Sequence, residues 1–184
     1  MDPTQEKLWA ERLLKNQRGL GDDDFLFVSR ITAATLNHMI EEGERKGKSV
    51  VFWLAGSPEG RALLAHNDFA LGSQITAATL NHIIEEGPAK GGSVALWLAG
   101  YPEGQALLAH GNPSLGSQIT ARTLNQVIEE GKYKGLSVAL CLAGSLDGQA
   151  LLAHDDFALG SQITARTLNQ VIEEGRAKGL SVAL

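Results

Sequence analysis

The 184-residue chain is short of cysteine and of positive charge, and each shortage removes a class of function. A lone Cys141 can neither close an intramolecular disulfide nor build a metal site by itself. Lysine and arginine total 16 against 21 aspartates and glutamates, a formal net charge of −5. That balance gives no electrostatic case for nucleic acid or an anionic membrane surface. No stretch approaches the ~20 apolar residues that span a bilayer. The opening MDPTQEKLWAERLL is charged and has no apolar core of signal-peptide length. The expectation is a soluble protein with no membrane partner, cytoplasmic by default; a chain exported by a signal-independent route would carry the same features. The 43% apolar content is enough to bury a core.

What the chain has in abundance is itself. Ile-Thr-Ala begins at Ile31, Ile75, Ile119 and Ile163, each 44 residues after the last. The segments read ITAATLNHMIEEG, ITAATLNHIIEEG, ITARTLNQVIEEG and ITARTLNQVIEEG. The later part of each unit recurs in phase: RALLAHNDFALGS from Arg61, QALLAHGNPSLGS from Gln105 and QALLAHDDFALGS from Gln149. A period of roughly 20–50 residues marks one supersecondary unit stacked on its neighbours. The phase divides the chain into residues 31–74, 75–118, 119–162 and a partial fourth unit, 163–184. Residues 1–30 read as a degenerate capping half-repeat, because Trp9 lies 44 residues before Trp53 and Asp24-Phe25 44 before Asp68-Phe69. Glu6, Lys7, Glu11, Arg12, Lys15 and Arg18 supply the wet face that a terminal unit needs. The last residues, Ser181-Val-Ala-Leu184, are apolar and fall mid-unit, as in a piece of a longer array or a truncated product.

Within one unit, Gly72-Ser73 leads into QITAATLNHIIEE and Gly87 follows. Serine is a preferred N-cap and glycine the preferred residue past a helix end, so the pattern predicts a helix of about three and a half turns. Ile75, Thr79, Leu80, Ile83 and Ile84 fall on one side; Ala78, Asn81, His82 and Glu85 fall on the other. After the loop at 87–92, Ser93-Val-Ala-Leu-Trp-Leu-Ala-Gly100 is apolar all round. Its length permits a strand, while the Ser93 cap and Gly100 stop favour a helix. Tyr101-Pro102-Glu103, and Ser57-Pro58-Glu59 one unit earlier, start a third helix that reaches His110. The predicted fold is all-α: a right-handed α-solenoid of 44-residue repeats with three short helices in each.

Val127-Ile-Glu-Glu-Gly131, followed by apolar residues and Leu142-Ala-Gly-Ser-Leu-Asp-Gly-Gln-Ala-Leu151, resembles part of the armadillo repeat. Three short helices in about 44 residues also resemble the armadillo and HEAT architecture. The resemblance covers about a third of each unit and implies a helical scaffold for protein ligands. Gly-Gln-Ala-Leu is similar to a segment of the TAL-effector DNA-binding repeat, which would imply a nucleic-acid array.

No catalytic, metal-binding or cofactor motif is expected. His66, His110 and His154 close the third helix, and no second ligand lies at fixed short spacing from them. A histidine at a helix end, favoured by the dipole, is the preferred reading over a metal ligand. The pairs Glu41-Glu42, Glu85-Glu86, Glu129-Glu130 and Glu173-Glu174 would point about 100° apart on a helix, which disfavours acid–base work. They read as a solvated charge cluster, with Lys46, Lys90, Lys134 and Lys178 four residues past the second glutamate. Gly87, Gly91 and Gly92 punctuate helices and do not match a phosphate loop. Trp9, Trp53 and Trp97 are in phase until Cys141, and their apolar flanks predict core positions between repeats. Cys141 would then leave a cavity or a repacked junction.

The remaining candidate is the polar stripe of the first helix. It carries Ala34, Asn37, His38 and Glu41, then Ala78, Asn81, His82 and Glu85. The later units have Arg122, Asn125, Gln126 and Glu129, then Arg166, Asn169, Gln170 and Glu173. The stripe changes in concert from Ala/His to Arg/Gln while the apolar face barely moves. Drift on a solvated face would leave the same record. In a solenoid such positions form a ladder, so the expected function is a non-enzymatic scaffold that binds a protein or peptide. The expected contacts are Asn37, His38, Asn81, His82, Arg122, Asn125, Gln126, Arg166, Asn169 and Gln170. Two alternatives stand beside it: a nucleic-acid-binding repeat array, and a structural module that associates end to end through its C-terminal half-repeat.

Overall fold

A computed structural model describes residues 31–40, 47–66, 70–87, 89–110, 114–131 and 133–169. The described chain is helical, with ten α-helices, and among the described residues there is no strand, only an isolated bridge between Met39 and Ser49. In order they are α1 (Ala33–Asn37), α2 (Val50–Gly56), α3 (Pro58–Ala65), α4 (Ala77–Asn81), α5 (Val94–Ala99), α6 (Pro102–Ala109), α7 (Ala121–Asn125), α8 (Val138–Ala143), α9 (Leu146–Ala153) and α10 (Ala165–Leu168). Single 3-10 turns at Gly72–Gln74, Gly116–Gln118 and Gly160–Gln162 precede α4, α7 and α10.

The apolar segment 93–100 forms a helix. Ser93 Oγ accepts the backbone N–H of Leu96 at 3.1 Å, and Ser49 and Ser137 cap α2 and α8 in the same way. Helix α5 is buried nearly all round, with Val94, Ala95, Leu96, Leu98 and Ala99 in the core. Each fully covered leucine there contributes about 1.5–3 kcal/mol through lost water contact.

The helices α3, α6 and α9 start as the sequence predicts, with Pro58 or Pro102 in the first turn and Ser57 or Ser145 as cap. A methyl group on Gly104 would lie 2.2 Å from the Leu98 carbonyl oxygen, and Gly60 and Gly148 meet Leu54 and Leu142 equally closely. Glycine is therefore what lets these helices fold back onto α5, α2 and α8. The buried Gln105 then donates from Nε2 to the carbonyl of Ala99 at 2.7 Å, satisfying a helix-end acceptor. Arg61 and Gln149 do the same for Ala55 and Ala143. Like helices lie side by side: α2 against α5 and α5 against α8, α3 against α6 and α6 against α9.

The first helix departs from the sequence reading. In place of three and a half turns beginning at Ser73 there are five residues, Ala77–Asn81, capped by Thr76 Oγ1, with Ser73 in the 3-10 turn before them. His82 is already extended, with φ −64° and ψ 124°. Two bonds hold the chain off the helical path: Ile84 N–H donates to Gly92 O at 2.9 Å, and Gly91 N–H donates to Ile84 O at 2.8 Å. Ile40 and Ile128 make the same pair of bonds with their own turns. Gly87 and Gly91, at φ +80° and +82°, supply the left-handed backbone that closes this turn, so they do more than punctuate. Most of the set the pattern picked is nonetheless buried: Ile75, Thr79, Leu80 and Ile84 are covered and Ala78, His82 and Glu85 exposed, while Ile83 and Asn81 are both half-buried.

Because the helix ends early, Glu85 and Glu86 do not stand at a helix C-terminus. Lys90 reaches across to Glu130, 3.6 Å away, rather than back to its own pair. Trp97 is partly buried and wedged edge-on between Phe52 and Tyr133, with ring centroids at 6.0 and 4.9 Å. Cys141 packs partly buried against the same core, and desolvation pushes its thiol up to about 12. The N-terminal half-repeat with Trp9, and Glu41, Glu42, Lys46, Gln170, Glu173, Glu174, Lys178 and Leu184, lie outside the described residues.

Candidate binding surface

The short first helices owe their placement to one residue each. Asn37 donates from Nδ2 to Ala33 O at 2.7 Å, within its own helix, and to Gln74 O at 2.8 Å, just before the next first helix. Its Oδ1 accepts the N–H of Thr76, the N-cap of α4, at 3.0 Å. Asn81 repeats this with Ala77 O at 2.8 Å, Gln118 O at 2.7 Å and Thr120 N–H at 2.9 Å. Asn125 does so with Ala121, Gln162 and Thr164 at 2.8, 2.8 and 2.9 Å. Asn169 keeps the bond within its helix, to Ala165 O at 2.8 Å. Both amide protons of Asn37, Asn81 and Asn125 are thus occupied, and each carbonyl oxygen accepts a backbone N–H; the Asn37 oxygen also accepts the Thr76 hydroxyl at 3.3 Å.

Each joint ties one first helix to the backbone that leads into the next. Ala34, Ala78, Arg122 and Arg166 are exposed; His82 is exposed, and His38 and Gln126 are half-buried. Gln126 Nε2 donates to the carbonyl of Val127 at 3.1 Å. The stripe therefore holds two kinds of residue: asparagines committed to the chain, and neighbours of which Ala34, Ala78, His82, Arg122 and Arg166 are exposed.

A second face was not legible as a unit. A cleft of about 300 Å³ between α3 and α6 is lined by Ala65, His66, Ala106, Leu107 and His110 among others. Another of about 280 Å³ between α6 and α9 is lined by Ala106, His110, Asp147, Ala150 and His154 among others. His66 and His110 share the first cleft, and His110 and His154 the second. His154 stacks on Phe157 at 4.2 Å and approaches Asp156 at 3.9 Å. Each of these histidines caps its helix through its backbone N–H, which bonds Leu63, Ala106 or Leu151. Among the described residues no group of three or more histidine, cysteine, aspartate or glutamate side chains is placed to hold a metal ion. No described helix is long and apolar enough to cross a membrane.

Comparison of the chain with protein-family models, with curated proteins and with solved structures finds no match in any of the three.

Proposed function

We propose that the chain is a right-handed α-solenoid of 44-residue units that acts as a non-enzymatic scaffold, binding a protein or peptide along the row of first helices. The observation that carries the reading is the asparagine joint, made with equivalent partners at Asn37, Asn81 and Asn125. A surface that offers side chains at a fixed interval needs its units held in register, and hydrogen bonds to the backbone of the following unit do that. Each bond of this kind is worth about 1 kcal/mol net. In this reading His38, His82, Arg122, Gln126, Arg166 and Gln170 meet the ligand. Asn37, Asn81, Asn125 and Asn169 contribute chiefly by holding the spacing. Five-residue helices such as α4 have no stability of their own, so the face exists only as part of the stack.

The test is capture of partners from lysate, with and without nuclease, by the purified chain and by a variant carrying His82→Ala, Arg122→Ala, Gln126→Ala and Arg166→Ala. These substitutions leave the asparagine joints intact. A nuclease-resistant partner lost with the variant supports the scaffold. Nuclease-sensitive material alone favours the nucleic-acid array, and concentration-dependent association of the chain with itself favours the structural module. Either result would overturn the reading.

A further inference from the structure

We propose that the ligand of this surface is an extended acidic peptide whose carboxylate side chains meet Arg122 and Arg166 in turn; the inference rests on the binding-surface reading above. It starts from what the cations do. Six lysines and arginines lie among the described residues. Lys48 stands over the Trp53 ring at 4.8 Å. Arg61 is buried, stacked on Tyr101 at 3.6 Å and 3.6 Å from Glu103. Lys90 pairs with Glu130, and Lys134 also has an interaction. Arg122 and Arg166 are the two with no ion pair or ring contact among the described residues. Both are exposed, and both occupy the same position of equivalent first helices. A chain of net charge −5 that engages its other described cations has left two unmatched on one face.

An extended peptide suits the row. Asn125 ties α7 to the backbone that leads into α10, so Arg122 and Arg166 stand on successive units. A polyproline-type chain rises ~3.1 Å per residue and returns to the same side every third residue, so acidic side chains three apart are ~9 Å apart. Guanidinium groups pair readily with carboxylates, through a fork of donors. A nucleic acid fits less well, because its unbroken row of phosphates would also meet the exposed Glu85, Glu86 and Glu129. A peptide spaces its carboxylates and carries neutral residues between them. Ala34 and Ala78 stand at the corresponding positions of α1 and α4, where an arginine would extend the row.

The probe is a fluorescein-labelled peptide of repeated Glu-Pro-Pro triplets, read by fluorescence anisotropy against the purified chain. The expected result is saturable binding that weakens with salt and is absent for the Gln-Pro-Pro counterpart. Arg122→Gln with Arg166→Gln should weaken it about ten-fold, two exposed ion pairs at roughly three-fold each. Ala78→Arg should extend the row and tighten binding about three-fold, a gain that misfolding cannot produce. Absence of binding, equal binding by the double variant, or tighter binding of a thymidine oligonucleotide of equal charge would overturn the proposal. A captured protein that ignores the arginine substitutions but is lost when Ala78→Arg crowds the face would overturn the acidic ligand alone and leave the binding surface standing. A captured protein indifferent to all three substitutions would overturn both.

Discussion

Replacing Asn81 by alanine removes three hydrogen bonds at one stroke: to Ala77 O, to Gln118 O and from Thr120 N–H. At about 1 kcal/mol net for each inter-unit bond the loss is ~2 kcal/mol. Alanine's better helix propensity returns up to about 0.7 kcal/mol at this last helical position. A net destabilisation of about 1.5 kcal/mol follows, and Asn125→Ala should match it closely because its partners are equivalent. The aspartate variant sharpens the test. Asn81→Asp keeps an acceptor for Thr120 N–H but turns a carboxylate oxygen toward two carbonyl oxygens, so at neutral pH it should be worse than alanine. Those carbonyls disfavour the charged form and raise the carboxyl pKa of the folded variant above its unfolded value of about 3.9. The folded state then binds more protons, so relative to wild type Asn81→Asp recovers below that value and loses stability as pH rises through it. Urea unfolding followed by circular dichroism reads both effects. A loss under about 0.5 kcal/mol for Asn81→Ala, or an aspartate variant no worse than alanine at pH 7, would refute the joint.

Gly104→Ala should cost more than about 3 kcal/mol or prevent folding, since its methyl would lie 2.2 Å from Leu98 O; Gly100→Ala, whose methyl meets Leu96 O at 3.5 Å, should cost under about 1 kcal/mol. Thermal melts of the pair check this. Leu98→Ala, at a site with 0% exposure, should lose about 2–5 kcal/mol, while Leu146→Ala, 84% exposed, should change stability little in the same assay. The Cys141 thiol, raised from 9.0 to about 12, should resist alkylation: at pH 8 its thiolate fraction is about 10⁻⁴, against about a tenth for an ordinary thiol. A reaction in the folded chain as fast as in urea would contradict that. Because this group holds its proton more tightly when folded, wild type should lose stability relative to Cys141→Ala as pH climbs past 9.0, by about 1.4 kcal/mol at pH 10.

The all-helical class, the caps at Ser57 and Ser93 and the burial of Ile75, Thr79, Leu80 and Ile84 could all be read from the sequence, because local capping and apolar spacing determine them. The length of the first helix could not. Its apolar residues keep helical spacing to Ile84, yet Ile84 is buried from non-helical backbone bonded to Gly91 and Gly92. Those bonds close a turn seven and eight residues on, and a periodicity argument cannot distinguish a continued helix from a chain that turns back under the same core. The asparagines illustrate the same limit for the surface. Grouped with the stripe by spacing, they turned out to bond Gln74, Gln118 and Gln162, thirty-seven residues on. A signal was present: Asn is identical in all four units, whereas Ala changes to Arg and His to Gln on either side of it. A polar position that stays fixed among changing neighbours is a candidate for internal bonding. The histidine clefts were invisible for another reason, since His66, His110 and His154 come together only through the packing of α3, α6 and α9.

The most direct test is a titration of the ¹⁵N-labelled chain with the Glu-Pro-Pro peptide, followed by amide chemical shifts. The account predicts perturbations grouped in α1, α4, α7 and α10, strongest near Arg122 and Arg166, with the amides around the histidine clefts unmoved. Perturbations centred on His66, His110 and His154, with the first helices silent at saturation, would place the binding surface on the opposite set of helices and contradict it.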